Sequence, residues 1–133
     1  MDIYRQPASR FVANFVGSPP MNMLLPGDAP DFAAEVKRNL ALDETASMEA
    51  IGIRPEAVRL TADLDTTPLR GRVDTIQPTG ADWIVGIVSA DRQLFALSAE
   101  APPVGIGADV GILLRREGLH AFGKDGKNLT RTS

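Results

Sequence analysis

The stretch Gly118-Leu119-His120-Ala121-Phe122-Gly123-Lys124-Asp125 comes closest to a motif with chemistry of its own. It nearly matches the phosphate-cradling loop Gly-x-x-x-x-Gly-Lys-Ser/Thr. Asp125 stands where the magnesium-binding hydroxyl belongs and would bring a negative charge towards phosphate. The loop also needs a following helix whose N-terminus faces the anion. Gly126-Lys127-Asn128-Leu129 predicts no such helix, so the stretch reads as a strand and a turn. His120 is the single histidine, which excludes a two-histidine metal motif. No Gly-x-Ser-x-Gly elbow accompanies it, and a lone His beside Phe122 in a strand reads as structural. Asp63 and Asp65 lack the loop glycine and closing glutamate of a calcium loop. Asn128-Leu129-Thr130 fits a glycosylation sequon, but no secretory signal accompanies it. The residues therefore predict no catalytic site, no cofactor and no metal.

The elements around these residues read mainly as strands. Met21–Leu25 is a short apolar run closed by Pro26-Gly27. Phe32, Val36 and Leu40 have helical spacing, but the charges between them also suit a strand, and the neighbouring strands tip 28–39 to strand. Asp43–Ser47 reads as a turn. Ala50–Ile53 reads as a strand with Pro55 at its end. The polar, proline-ended run 61–68 is the best internal boundary. Beyond it come a strand over 69–76, a turn over 77–80, and a run from Trp83 to Val88 that is apolar on both faces and so central to a sheet. Gly86 in that run predicts a bend or bulge. Strands follow over 93–97, 110–114 and 119–122, with turns at 89–92 and 102–107. Short strands with Gly/Pro turns are the pattern of a small β-barrel.

The strongest helix signal lies upstream. Pro7 suits a first turn, and Phe11/Phe15 and Val12/Val16 are spaced by four, so one face carries an aromatic stripe. Gly17 can close the helix, and Pro19 and Pro20 forbid its continuation. A helix this short is marginal alone in water, so its stripe must be covered by this chain or by another protein.

Composition narrows the class. A chain of 133 residues makes one domain or two very small ones. A 44% hydrophobic share can build a core. With no cysteine there is neither a disulfide framework nor a thiolate metal site, which fits a reducing compartment. A net charge of -3, one Trp and one Tyr disfavour a basic, aromatic-lined groove for nucleic acid. No apolar run is long enough to span a bilayer. A cytoplasmic protein is expected, with any membrane association made through a partner.

Three stretches carry a family resemblance. Arg10-Phe11-Val12-Ala13-Asn14-Phe15-Val16-Gly17-Ser18-Pro19-Pro20-Met21-Asn22 resembles the segment that follows the nucleotide-binding domain in ATPase subunits of carbohydrate-importing ABC transporters, of the maltose and glycerol-3-phosphate type. Gly52-Ile53-Arg54-Pro55-Glu56 resembles a second signature, at a similar distance downstream. His120-Ala121-Phe122-Gly123-Lys124-Asp125-Gly126 resembles the closing motif, where the family usually has aspartate in place of Gly123. The three come in the family's order and cover nearly the whole chain.

The resemblance implies an OB-like regulatory domain over 18–133, with 1–17 as the remnant of a junction to an ATPase domain that these residues do not contain. It implies no enzymatic activity in this chain, a homodimeric partner, association with ATPase and membrane subunits at the inner membrane, and in some members a regulatory protein or ligand. By the same resemblance the intact subunit would hydrolyse ATP to drive import. The residues expected at interfaces are Phe11, Phe15, Gly17, Ser18, Asn22, Arg54, Pro55, Glu56, His120 and Phe122. On spacing alone, Arg54 and Glu56 flank Pro55 and would share a face, either completing a strand end or marking a docking surface. A free-standing sensor of sugars, phosphosugars or oxyanions is the alternative from a different class.

Overall fold

The computed structural model describes residues 19–43, 47–123 and 129. Eight strands and one α-helix are present among them: β1 (Asn22–Leu24), α1 (Pro30–Asn39), β2 (Ala50–Ile53), β3 (Val58–Thr61), β4 (Leu69–Pro78), β5 (Trp83–Ser89), β6 (Arg92–Ser98), β7 (Asp109–Leu114) and β8 (Leu119–Phe122). Three 3-10 turns, at Pro55–Ala57, Leu64–Thr66 and Arg116–Gly118, join some of them. The fold is mainly β, as the residues predict. The expected leading helix over 7–16 lies outside the described residues.

The strands form two antiparallel sheets. A three-stranded sheet has the order β1-β2-β8, and a five-stranded sheet has the order β3-β7-β4-β5-β6. The two edges of the larger sheet, β3 and β6, curl towards each other until Cα atoms come within 8 Å. No ladder pairing joins those edges among the described residues. Twist accumulated along an antiparallel sheet brings its edges together in this way, and the result is OB-like.

The core lies between the sheets and under α1. Leu24, Ile51, Ile53, Leu119 and Ala121 come from the small sheet, and Val58, Leu69, Val73, Val85, Ile87, Leu94, Val110 and Ile112 from the large one. All are buried in one continuous apolar cluster. Each strand supplies it through alternate residues, as the two-residue period requires. In β5 the run Ile84–Ile87 is buried throughout, which fits its place between β4 and β6.

Three expectations are corrected. Residues 30–39 form a helix, not a strand. Pro30 occupies its first turn, Asp31 is near its N-terminus and Lys37 and Arg38 near its C-terminus, all in keeping with the helix dipole. Phe32 and Val36 are buried, so the four-residue spacing reported the true period and the neighbouring strands were a poor guide. Residues 61–68 do not divide the chain, because β3 and β4 on either side both pair with β7. Thr67 is buried there and its Oγ1 donates to the Ile112 carbonyl at 2.7 Å, which sews this connection into the sheet. The strand over 69–76 runs on through Pro78. The irregularity expected at Gly86 is seen across the ladder: Val73 faces Ile87 and Thr75 faces Gly86, leaving Asp74 as the extra residue of a bulge in β4. Gly86 makes room for it, since a Cβ there would sit 2.4 Å from Thr75 Oγ1.

Candidate interaction surface

The small sheet turns Leu24, Ile51, Ile53, Leu119 and Ala121 inward, so the intervening residues face outward. Met23 pairs with Gly52, Gly52 with His120, and Ala50 with Phe122. This places Met23, Ala50, Gly52, His120 and Phe122 on one outer face. Met21 joins them, because its Sδ lies where a Cβ on Gly52 would be, at 2.4 Å. The Phe122 ring and the Met23 sulfur close over the same point at 3.3 and 3.4 Å. Gly52 is therefore the floor of a thioether and aromatic patch, and any side chain there would displace it. Met23 is 55% exposed, and Leu25, next in the same alternation, is 57% exposed. Large apolar side chains grouped and exposed in this way mark a contact surface.

His120 and Phe122 lie along one side of the patch, with ring centroids 6.3 Å apart and planes 18° from parallel. The His120 pKa is lowered from its ordinary value, first by burial and second by the positive charge of Arg54. The imidazole is thus biased to its neutral form, which suits an apolar surface.

The Arg54-Pro55-Glu56 corner sits at the end of β2. The Arg54 N–H donates to the Gly118 carbonyl at 2.9 Å, and the Arg115 N–H donates to the Ala57 carbonyl at 2.9 Å. Pro55 is buried and opens the 3-10 turn that β2 runs into. Gly118 allows the two turns to touch: a Cβ on it would lie 2.5 Å from Ala57 Cβ and 3.2 Å from Arg54 Cβ. Arg54 and Glu56 are both exposed. Arg54 acts on His120, whereas Glu56 lines a shallow depression with Arg59, Asp82, Glu100 and Arg115.

Asn22 occupies a different setting. It is buried, and its Nδ2 donates to the carbonyls of Ile53 (3.1 Å) and Phe95 (2.9 Å), while its Oδ1 accepts from the Phe95 N–H at 2.8 Å. The side-chain amide thus pairs with β6 as a strand backbone would and ties the small sheet to the large one. Phe11, Phe15, Gly17 and Ser18 lie outside the described residues. Of the expected interface residues, the structure brings His120 and Phe122 together with Arg54 nearby. It adds Met21, Met23 and Leu25, whose two-residue alternation was the available signal. Among the described residues no cluster of His, Asp and Glu could hold a metal ion, and no helix is long and apolar enough to cross a membrane. Gly118–Gly123 forms a turn and strand β8, where a phosphate-binding loop would need a loop running into a helix.

Residues 51–122, more than half of the chain, match the TOBE domain family, and the chain belongs to it. The matched span runs from β2 to β8, so it includes Gly52, His120 and Phe122 of the outer face and the Arg54-Pro55-Glu56 corner. The chain is similar over 96% of its length to the sn-glycerol-3-phosphate import ATP-binding protein UgpC of Rhodopseudomonas palustris, at 33% identity, and covers 39% of that protein. It is 31% identical to the protein of the same description from Vibrio vulnificus, over 96% of this chain and 36% of the relative. A Rhizobium johnstonii relative, UgpC 1, is 35% identical over 93% of this chain and 36% of its own length. The chain spans under two fifths of these relatives, and the region matched is their C-terminal part. An ATPase domain is not among these 133 residues.

Proposed function

We propose that this chain is the regulatory and dimerisation module of the ATP-binding subunit of a carbohydrate or glycerol-phosphate importer. Its role is to hold two subunits together while their motor domains open and close, and to receive regulatory partners. The observation that carries this reading is the similarity, over nearly the whole chain, to the C-terminal part of import ATP-binding proteins. It is supported by two exposed features that suit a contact surface, the Met23 patch and the charged corner at Arg54 and Glu56. Such a module works in the cytoplasm, at the inner membrane through membrane subunits, and contributes to transport only within the full subunit. Symmetric subunit contacts bury matching patches on both chains. Without motor domains to raise the effective concentration, self-association is weak, with dissociation in the micromolar range or above. Sedimentation equilibrium over a concentration series tests this. A monomer at every concentration up to roughly millimolar refutes self-association and leaves docking of a different protein.

A small-molecule sensor is the second reading, and one cleft favours it. A cavity of about 220 Å³ lies between the N-terminus of α1 and the β5–β6 turn, lined by Asp28, Asp31, Arg70, Ser89 and Arg92 among others. Arg92 pairs with Asp28 at 3.4 Å, and its Nε is buried without a hydrogen-bond partner among the described residues. A thermal-stability shift with sugars, phosphosugars or oxyanions would favour the sensor; unchanged stability across the panel favours the subunit module.

A further inference from the structure

We propose, on the sensor reading above, that the cleft between the N-terminus of α1 and the β5–β6 turn binds a small uncharged polyol. This narrows the ligand from sugars, phosphosugars and oxyanions to one class. Arg92 points to a ligand. Its Nε is buried and has no hydrogen-bond partner among the described residues, while its Nη2 pairs with Asp28 at 3.4 Å. A buried donor left without an acceptor is costly, and this one belongs to the lining of a cleft. The turn that delivers Arg92 is tight. Ser89 pairs with Arg92 across it, and Ala90 and Asp91 between them have φ of 50° and 66°. Both lie in the left-handed region, which disfavours a side chain. Such strain persists only where the surroundings hold it, and it clusters at ligand sites.

The other polar groups decide the class. Asp28 and Asp31 contribute carboxylates, which accept hydrogen bonds and donate none. Ser89 lines the cleft too, but its Oγ donates to the Arg70 carbonyl at 2.6 Å, so towards a ligand it can only accept. Arg70 is partly committed elsewhere, since its guanidinium donates to the Leu64 carbonyl at 2.6 Å. Two arginines and two aspartates leave the lining with no net charge. Phosphate would meet Asp28 and Asp31 as acceptor against acceptor, with like charge. A hydroxyl both accepts and donates. It can take the Arg92 Nε–H and give its own proton to a carboxylate, and several hydroxyls on one short carbon chain serve all these groups. Buried Phe32 and Leu69 line the same cleft and give the carbons an apolar contact. The volume of about 220 Å³ is the room of about seven waters at about 30 Å³ each. That suits glycerol up to a single hexose and leaves no room for a second sugar ring.

NMR of the nitrogen-labelled full chain, titrated in turn with glycerol, xylitol and glucose, tests this, because the Arg92 Nε–H has a resonance of its own. At least one of the three should shift that resonance and the Asp31 amide saturably, with half-saturation in the millimolar range. Arg92→Lys keeps a positive charge opposite Asp28 but lacks the Nε–H, and should weaken the binding seen at the Asp31 amide roughly tenfold. Shifts that are absent, or that stay linear up to roughly 1 M, overturn the proposal whether or not the variant folds. Saturation that Arg92→Lys leaves unchanged also overturns it, by placing the ligand elsewhere while the sensor reading stands. Inorganic phosphate should bind more weakly than the best polyol. Phosphate binding as tightly or more tightly at the Arg92 Nε–H overturns the uncharged class and again leaves the sensor reading standing. That reading falls separately, when no member of its wider panel shifts the thermal midpoint.

Discussion

Replacing Asn22 by alanine should loosen the molecule between its two sheets. Three hydrogen bonds converge on this one amide, to Ile53 and Phe95 carbonyls and from the Phe95 N–H, all between 2.8 and 3.1 Å. Each intramolecular hydrogen bond contributes a net of about 1 kcal/mol, and a buried group left without a partner costs more. The site is buried, so water does not readily replace the amide. The expected loss is therefore about 3 kcal/mol. With a urea slope of about 2 kcal/mol per molar, the midpoint should fall by about 1.5 M. The assay is urea unfolding followed by far-ultraviolet circular dichroism and by fluorescence of Trp83, which lies on β5 opposite Ser98 of β6. Asn22→Asp adds a sign. Its carboxylate would keep the Phe95 N–H but face two carbonyl oxygens in a buried site, so its folded pKa should rise above the unfolded value of about 3.9. Stability would then be retained below that pH and lost as pH rises through the folded value. A destabilisation under about 0.5 kcal/mol for Asn22→Ala, at unchanged slope, would refute the view that this side chain joins the sheets.

Four further outcomes are expected. The folded-state pKa of His120 is lowered, so the unfolded chain takes up the proton first, and stability should fall as pH drops below about 6.5 towards the folded value; His120→Gln should flatten that part of the curve. Removing the second cause with Arg54→Ala should raise the NMR-titrated pKa of this single histidine only part of the way, because burial remains, and a value that does not move would show that Arg54 exerts no field there. Gly118→Ala should cost about 1–3 kcal/mol by overpacking, since its methyl would press on Ala57 and Arg54, and a thermal midpoint within a degree of the parent would show that the two turns part easily. Magnesium-ATP should give no saturable heat on calorimetric titration, because Gly118–Gly123 is a turn and a strand; a micromolar site would contradict that assignment.

Local periodicity and turn chemistry carried most of the fold into the sequence. The apolar run from Trp83 to Val88, the alternation at Val110, Ile112 and Leu114, and the breaks at 89–92 and 102–107 all correspond to observed strands and turns. These features depend on neighbours a few residues away, so one chain suffices to read them. The Asp125 substitution likewise argued against a phosphate site before any fold was known. The helix over 30–39 was legible too, in Phe32, Val36 and Leu40. The flanking strands and the charges between those residues point the other way, and the period prevails because it reports which face is buried. Long-range facts were decided by tertiary structure alone. That β3 and β4 both flank β7 depends on pairing across about 40 to 55 residues, and no local pattern encodes it. Asn22 was expected at an interface by resemblance, yet burial turns its amide into a substitute strand partner for β6. Met21, Met23, Gly52 and Phe122 are ordinary residues in sequence. They form a surface only because antiparallel register sets residues from both ends of the chain side by side, with a glycine where a Cβ would collide.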